Sequence, residues 1–307
     1  MDPGRPPGFC FFAETGAIIR VNSPRRIWNR PEKASIIGQN TGTAGNGRQR
    51  TRRRRRKGRS SMIEFIQTTK VYGRSDRAAL DHLNLKIGDG CVYGFLGPNG
   101  AGKTTAIRLL TGALRATDGQ VLVNGIDVGK EPVRAKKLIG FVPDSQEMYD
   151  KLTGWEYLNF MADLYGVSRE DRIQRANKYL ETFEMAEAAG SRISSYSRGM
   201  KQKIASIGAL IHNPPVWVLD EPMVGLDPRA AFLLKEEMTN RAKEGATVFF
   251  STHVLEVAEK LCDRVGIINK GKLLTEGTPE ELQQKTGDAS LEEVFLEMTG
   301  TDTAAEA

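Results

Sequence analysis

The sequence predicts an α/β fold with a mixed sheet core, an antiparallel β portion and a helical insert. Three observations carry that expectation. The apolar run Cys91–Leu96 feeds directly into a glycine-rich loop, as a buried parallel strand does ahead of a helix. Val121-Leu122-Val123, Asn124-Gly125 and Ile126-Asp127-Val128 read as a hairpin with its turn residues in place. Trp155, Leu158, Ala162 and Tyr165 recur at helical spacing, and helix-compatible sequence continues to about Ala189.

Taken from the start, the chain changes character once. It has 307 residues, with 44 Lys+Arg against 38 Asp+Glu. Residues 1–61 hold 15 basic and 3 acidic residues, a net +12, while residues 62–307 hold 29 and 35, a net −6. The leader has no period of 2 or 3.6, is rich in Gly, Pro, Asn and Arg, and closes on Arg52–Arg56, Lys57 and Arg59. Such a stretch cannot bury enough apolar surface to offset its ordering entropy, so disorder is expected. Its arginine run reads either as an arm gripping nucleic acid or anionic lipid, or as part of a leader with no folded role. On the second reading, Met62 opens the protein proper. The apolar patch Phe9–Ala13 is short and precedes the charge cluster, which excludes a secretory signal. No apolar run approaches the roughly 20 residues of a membrane-spanning helix. Cys10, Cys91 and Cys262 are far apart and lack CxxC spacing, which speaks against a disulfide framework or a zinc site and for a reducing compartment.

Beyond the leader, Ile63–Thr68 reads as a short strand, and Leu83, Leu85 and Ile87 alternating with Asn84 and Lys86 as a half-buried one. Val216–Leu219 and Thr247–Phe250 are short apolar runs of buried-strand type. Val265–Asn269, Gly271 and Lys272–Leu274 read as a last hairpin, followed by short amphipathic helices at Pro279–Gln284 and Leu291–Met298.

Two motifs carry chemistry. Gly97-Pro98-Asn99-Gly100-Ala101-Gly102-Lys103-Thr104, followed by Thr105, matches G-x-x-x-x-G-K-[ST] between a predicted strand and a predicted helix. Glycines at 97, 100 and 102 allow backbone N–H groups to point inward at a phosphate chain, and the helix near Lys103 adds the positive end of its dipole. Lys103 is expected to reach the β- and γ-phosphates and Thr104 to bind Mg²⁺. The bland alternative is a glycine-rich turn with a surface lysine. Val216-Trp217-Val218-Leu219 ends on Asp220-Glu221-Pro222. Beside a phosphate loop, Asp220 can hold Mg²⁺ and Glu221 can align and deprotonate the attacking water. Without such a loop they would be two solvated acids at a strand end.

Further motifs follow in order: Tyr196-Ser197-Arg198-Gly199-Met200-Lys201-Gln202, Gly225-Leu226-Asp227-Pro228 and Ser251-Thr252-His253, with Tyr72 ahead of the phosphate loop in Lys70-Val71-Tyr72-Gly73. With these, residues 62–300 resemble the nucleotide-binding subunit of an ABC transporter, in a form similar to a drug-export-like branch. The resemblance implies an ABC-type ATP hydrolase that takes ATP and Mg²⁺. Tyr72 would lie under the adenine, and Ser197 and Gly199, read as preceding a helix that runs to about Ile211, would face a γ-phosphate held by the opposite subunit of a head-to-tail homodimer. Asp227 would couple the two sites, and His253 would sense the γ-phosphate. It also implies a separate membrane-spanning partner, a peripheral place on the cytoplasmic face of the cell membrane, and no specific nucleic acid. The segment Lys151–Tyr157 is the expected contact with that partner. Domain organisation follows as a leader over 1–61, an ABC ATPase domain over 62–286 with its helical insert at about 150–200, and a helix and tail over 287–307. Arg198 and Met200 depart from the usual signature. In Phe141-Val142-Pro143-Asp144-Ser145-Gln146, Asp144 stands where the family has glutamine, so Asp144 takes the metal- or water-facing role, or Gln146 does, or neither contacts nucleotide and the segment to about Trp155 is only a docking surface. A rival reading is a nucleic-acid-binding regulator built on the same ATPase. A single phosphate loop, no sustained heptads and the −6 charge of residues 62–307 argue against it.

Overall fold

The computed structural model describes residues 61–73, 77–145, 147–285 and 290–300; the leader through residue 60, Gln146 and the tail beyond Gly300 lie outside the described residues. Two sheets form. In the first, β1 (Ser61–Val71) pairs antiparallel with β2 (Ala78–Gly88) and with β4 (Asp118–Val123), and β4 turns through Asn124-Gly125 into β5 (Ile126–Asp127). Asn124 and Gly125 both take positive φ, as a two-residue hairpin turn requires. The second sheet has six strands in the order β10 (Lys272–Gly277), β9 (Arg264–Asn269), β3 (Val92–Leu96), β8 (Thr247–Thr252), β7 (Val216–Leu219) and β6 (Ile139–Val142). All neighbours are parallel except the edge hairpin β9–β10.

The central strands read as unbroken apolar runs because both faces of this sheet are covered, and the two-residue alternation still sorts them. Leu96, Trp217, Leu219, Val248, Phe250, Val265 and Ile267 point into one apolar cluster. That cluster takes in α3 (Gly154–Leu164), α4 (Arg169–Thr182), α5 (Arg198–Leu210), α6 (Pro228–Lys243), α7 (Leu255–Leu261), α8 (Pro279–Lys285) and α9 (Leu291–Thr299). Tyr93, Phe95, Val216, Val218, Phe249 and Ile268 point into the other, which is shared with α1 (Lys103–Leu110) and the antiparallel sheet. The short α2 (Pro132–Lys136) precedes β6.

The stretch read as one helical insert is broken at Tyr165–Ser168, where Gly166 takes φ +66. Thr153 and Ser168 cap the two helices through their side chains. Four elements have no counterpart in the sequence reading: α2, β6, α6 and α7. The second strand also begins at Ala78, several residues before its alternating run. Among the described residues no helix is long and apolar enough to cross a membrane. Cys91 is half-buried and Cys262 buried, and Cys10 lies outside the described residues.

Candidate functional site

The parallel register builds the site. Leu219 pairs with Phe250 and Leu96 with Thr252, so the ends of β7, β8 and β3 stop side by side. Asp220, Ser251 and Gly97 therefore emerge on the face that also holds α1. At Gly97 a Cβ would meet the Ile268 carbonyl oxygen at 2.5 Å, and at Gly102, with φ +111, it would meet the Ala79 carbonyl oxygen at 2.6 Å. Neither position admits a side chain, so the loop is pressed against the sheet as a bare-backbone cradle.

Helix α1 stands apart in one respect. Among described helices of eight residues or more, α3, α4, α5, α6 and α9 each have a side chain accepting from a first-turn N–H, and α1 has none. Its uncapped N-terminus lies over the glycine cradle, the arrangement that receives an anion. Lys103 opens this helix and is only 6% exposed. Its Nζ donates to the carbonyl oxygens of Gly97 at 2.6 Å and Pro98 at 3.2 Å, and lies 3.3 Å from Glu221 Oε1.

Across from it, Asp220 is 4% exposed. Burial raises its pKa, and hydrogen bonds from Ser251 and Thr104 partly offset that rise. Nearby negative charge on Glu221 and Asp144 raises it too. Glu221 sits at φ +46, a left-handed conformation that costs a non-glycine residue about 1–2 kcal/mol. Its Oε2 meets Nδ1 of His253 at 3.1 Å. One carboxylate thus touches both the phosphate-loop lysine and the histidine. Among the described residues no group of three or more His, Cys, Asp or Glu forms a metal cage. The donors that fit a cation here are the Thr104 hydroxyl and the Asp220 carboxylate, a sparse set suited to Mg²⁺ that shares its remaining ligands with phosphate and water.

Tyr72 lies at the other end of the loop. Its hydroxyl is 3.3 Å from Thr105 Oγ1, and Lys70 Nζ lies 5.5 Å from its ring centre. With Asn99, Gly100, Ala101, Ala79 and Asn269 it lines a cleft of about 530 Å³.

The remaining residues expected at the site stand apart from this cluster. Ser197 caps α5, its Oγ accepting from the Met200 N–H at 3.2 Å; Gly199 lies inside the first turn of that helix, not ahead of it. Asp227 caps α6, Oδ1 accepting from the Ala230 N–H at 2.8 Å. Both are exposed. Asp144 is exposed and lies 3.9 Å from Nη2 of Arg198, whose stem covers Gly225. Of the other histidines, His82 is exposed beside Asp81, and His212 stacks at 3.7 Å on Tyr165. The residue that sequence reasoning passed over is Ser251, which touches both acids.

The sequence profile described as ABC transporter matches residues 80–224. The linearmycin resistance ATP-binding protein LnrL of Bacillus subtilis is 35% identical over 243 residues, covering 79% of this chain and 77% of that protein. The chain belongs to the ABC transporter ATP-binding proteins. A solved ATP-binding subunit of an ABC transporter superposes with a TM-score of 0.74 at 30% identity, covering 78% of this chain and all of that one. The cassette MJ0796, solved as a dimer in a post-hydrolysis state bound to ADP and Pi, superposes at 0.64 with 26% identity, covering 71% of this chain and 98% of that one. This chain is therefore an ATP-hydrolysing, ATP-binding subunit of an ABC transporter.

Proposed function

We propose that this subunit powers drug-export-like transport by binding MgATP between two copies arranged head to tail, and that its work is done on a separate membrane-spanning partner. The observation that carries this reading is the uncapped N-terminus of α1 with buried Lys103, set against Asp220, Glu221 and His253. The ATPase is carried by residues 62–286. Tyr72 stacks on the adenine. Gly97, Pro98, Asn99, Gly100, Ala101 and Gly102 wrap the phosphates with their backbone, Lys103 neutralises the β- and γ-phosphates, and Thr105 and Thr104 close the loop. Thr104 and Asp220 would hold Mg²⁺, and Asp144 would take the further metal- or water-facing role. The bound ion supplies Lewis-acid neutralisation of the phosphate oxygens.

Hydrolysis is an in-line displacement. A water oxygen forms a bond to the γ-phosphorus, the bond to the bridging oxygen breaks, and ADP leaves with inorganic phosphate. Glu221 accepts the water proton, while His253, oriented by its Nδ1 contact with Glu221 Oε2, turns its other nitrogen to the γ-phosphate. Ser197 and the N–H groups near Gly199 meet the γ-phosphate of the opposite copy, and Asp227 links the two sites. Tyr149 and Phe160, exposed and in edge contact at 5.3 Å, flank the Lys151–Tyr157 segment and support it as the docking surface for the membrane partner. The subunit then sits peripherally on the cytoplasmic face of the membrane.

The test is Glu221→Gln. Turnover is expected to fall by about 10²–10⁴, the usual worth of a general base. MgATP should trap a dimer visible by size-exclusion chromatography, because the γ-phosphate between the copies stays uncleaved. Wild-type turnover, or a variant that stays monomeric where the wild type dimerises, rejects the mechanism.

A further inference from the structure

Ser251 is fully buried at the end of β8, where the register sets it beside Asp220. Its Oγ lies 2.6 Å from Asp220 Oδ1 and 2.9 Å from the backbone nitrogen of Glu221. The chemistry of the partners fixes the hydroxyl's direction. An ionised carboxylate only accepts and a backbone N–H only donates, so Ser251 donates to Asp220 and accepts from Glu221. One hydroxyl therefore holds two consecutive residues, the first by its side chain and the second by its backbone. The second is the residue at φ +46, so the bond falls at a strained point of the chain. The Asp220 N–H is already engaged by the Val142 carbonyl at 2.9 Å. Without Ser251, the Glu221 N–H and one Asp220 oxygen lose their partner in a buried setting.

We propose that Ser251 is a positioning residue for hydrolysis. It fixes the carboxylate of Asp220 and the backbone of Glu221 relative to one another, so that metal site and proton acceptor share one geometry. The inference rests on the roles assigned above to Asp220 and Glu221. The hydroxyl touches neither the glycine cradle nor Tyr72, so nucleotide binding through those groups does not depend on it. What depends on it is the alignment of the attacking water, where a displacement of about 1 Å costs on the order of 10²-fold in rate.

The experiment compares Ser251→Ala, Ser251→Thr and Ser251→Val in the full chain. Thr and Val have nearly the same shape and differ in the hydroxyl, so that pair separates hydrogen bonding from bulk. Measured quantities are kcat and KM for ATP, ATP affinity with Mg²⁺ chelated, and melting temperature. Ala and Val should lower kcat by about 10- to 100-fold while KM and the Mg²⁺-free affinity move by no more than about twofold, and Thr should recover most of the loss. The inference is overturned by kcat near wild type in Ala or Val, by Thr no better than Val, or by Mg²⁺-free affinity falling in step with kcat. It is also overturned if neither Ala nor Val yields folded protein, because Ser251 is then a stability residue. Glu221→Gln run in parallel keeps the two levels apart: its retaining turnover rejects the assigned base, whereas an inert Glu221→Gln beside a fully active Ser251→Ala rejects only the role of Ser251.

Discussion

The phosphate-loop half of the site and the half formed by the N-termini of α5 and α6 are built on opposite terms. Lys103, Asp220 and Ser251 are buried, and each is engaged by groups of the same chain. Ser197 and Asp227 lie exposed, and their side chains cap their own helices. The first half is wired within one chain, so lesions there should act on a single copy. The proposed head-to-tail arrangement would set the second half against the opposite copy, so lesions there should leave single-copy binding alone. This contrast suits the head-to-tail arrangement proposed above.

The sharpest way to break the contrast is Lys103→Ala. Losing one partner of a buried ion pair costs about 3–5 kcal/mol, so nucleotide affinity of the monomer should fall by at least about a hundredfold in a titration with a fluorescent ATP analogue. Unchanged affinity would move the phosphates elsewhere. Ser197→Ala is milder. Its lost cap is worth about 1 kcal/mol, which lowers the melting temperature by about 2–4 °C, while monomer affinity for ATP stays as in the wild type. A large drop in monomer affinity would mean that this helix end serves its own nucleotide.

His212 lies in neither half and sharpens the comparison as a control. Burial holds its pKa down to about 4, below the 6.5 of the free side chain. Between those values the unfolded chain binds more protons than the folded one, so His212 removes stability as pH falls from 6.5 toward 4. His212→Phe, which keeps a ring against Tyr165, should flatten that acid-side loss by about 2–4 °C of melting temperature at pH 5 and leave ATP turnover at neutral pH unchanged. A pH profile of melting identical to wild type rejects the assignment.

How far the sequence could be read follows the same physics. The strands bearing Leu96 and Leu219 were legible because burial on both faces leaves a continuous apolar run. The cradle was legible because Gly97 and Gly102 are demanded by close approach to Ile268 and Ala79, and Gly100 by its positive φ. Helix α6 was not, because its buried face includes Glu237 and Arg241 and so breaks the apolar stripe. The usable signal was Asp227-Pro228, a capping acid followed by proline at the first helical position. Strand β6 was lost because four residues including Gly140 carry too little pattern. Helix α7 was missed for want of a side-chain cap and for its length of seven residues. Ser251 was hidden for another reason: its partners are 30 and 31 residues away, and no local pattern records a bond made across strands.

One contact described above bears on how nucleotide enters. Lys103 and Glu221 lie 3.3 Å apart in a site where both are largely buried. In the proposed site the incoming triphosphate competes with a carboxylate already on the ammonium, so binding there would be an exchange of anions on one cation. In that exchange Glu221 is released from the lysine at the step that delivers the phosphate it is to act on. In the proposed mechanism, the phosphate that displaces Glu221 from Lys103 also frees that carboxylate to meet the attacking water. In Glu221→Gln the competitor is neutral, so the dead enzyme should hold ATP more tightly than the live one.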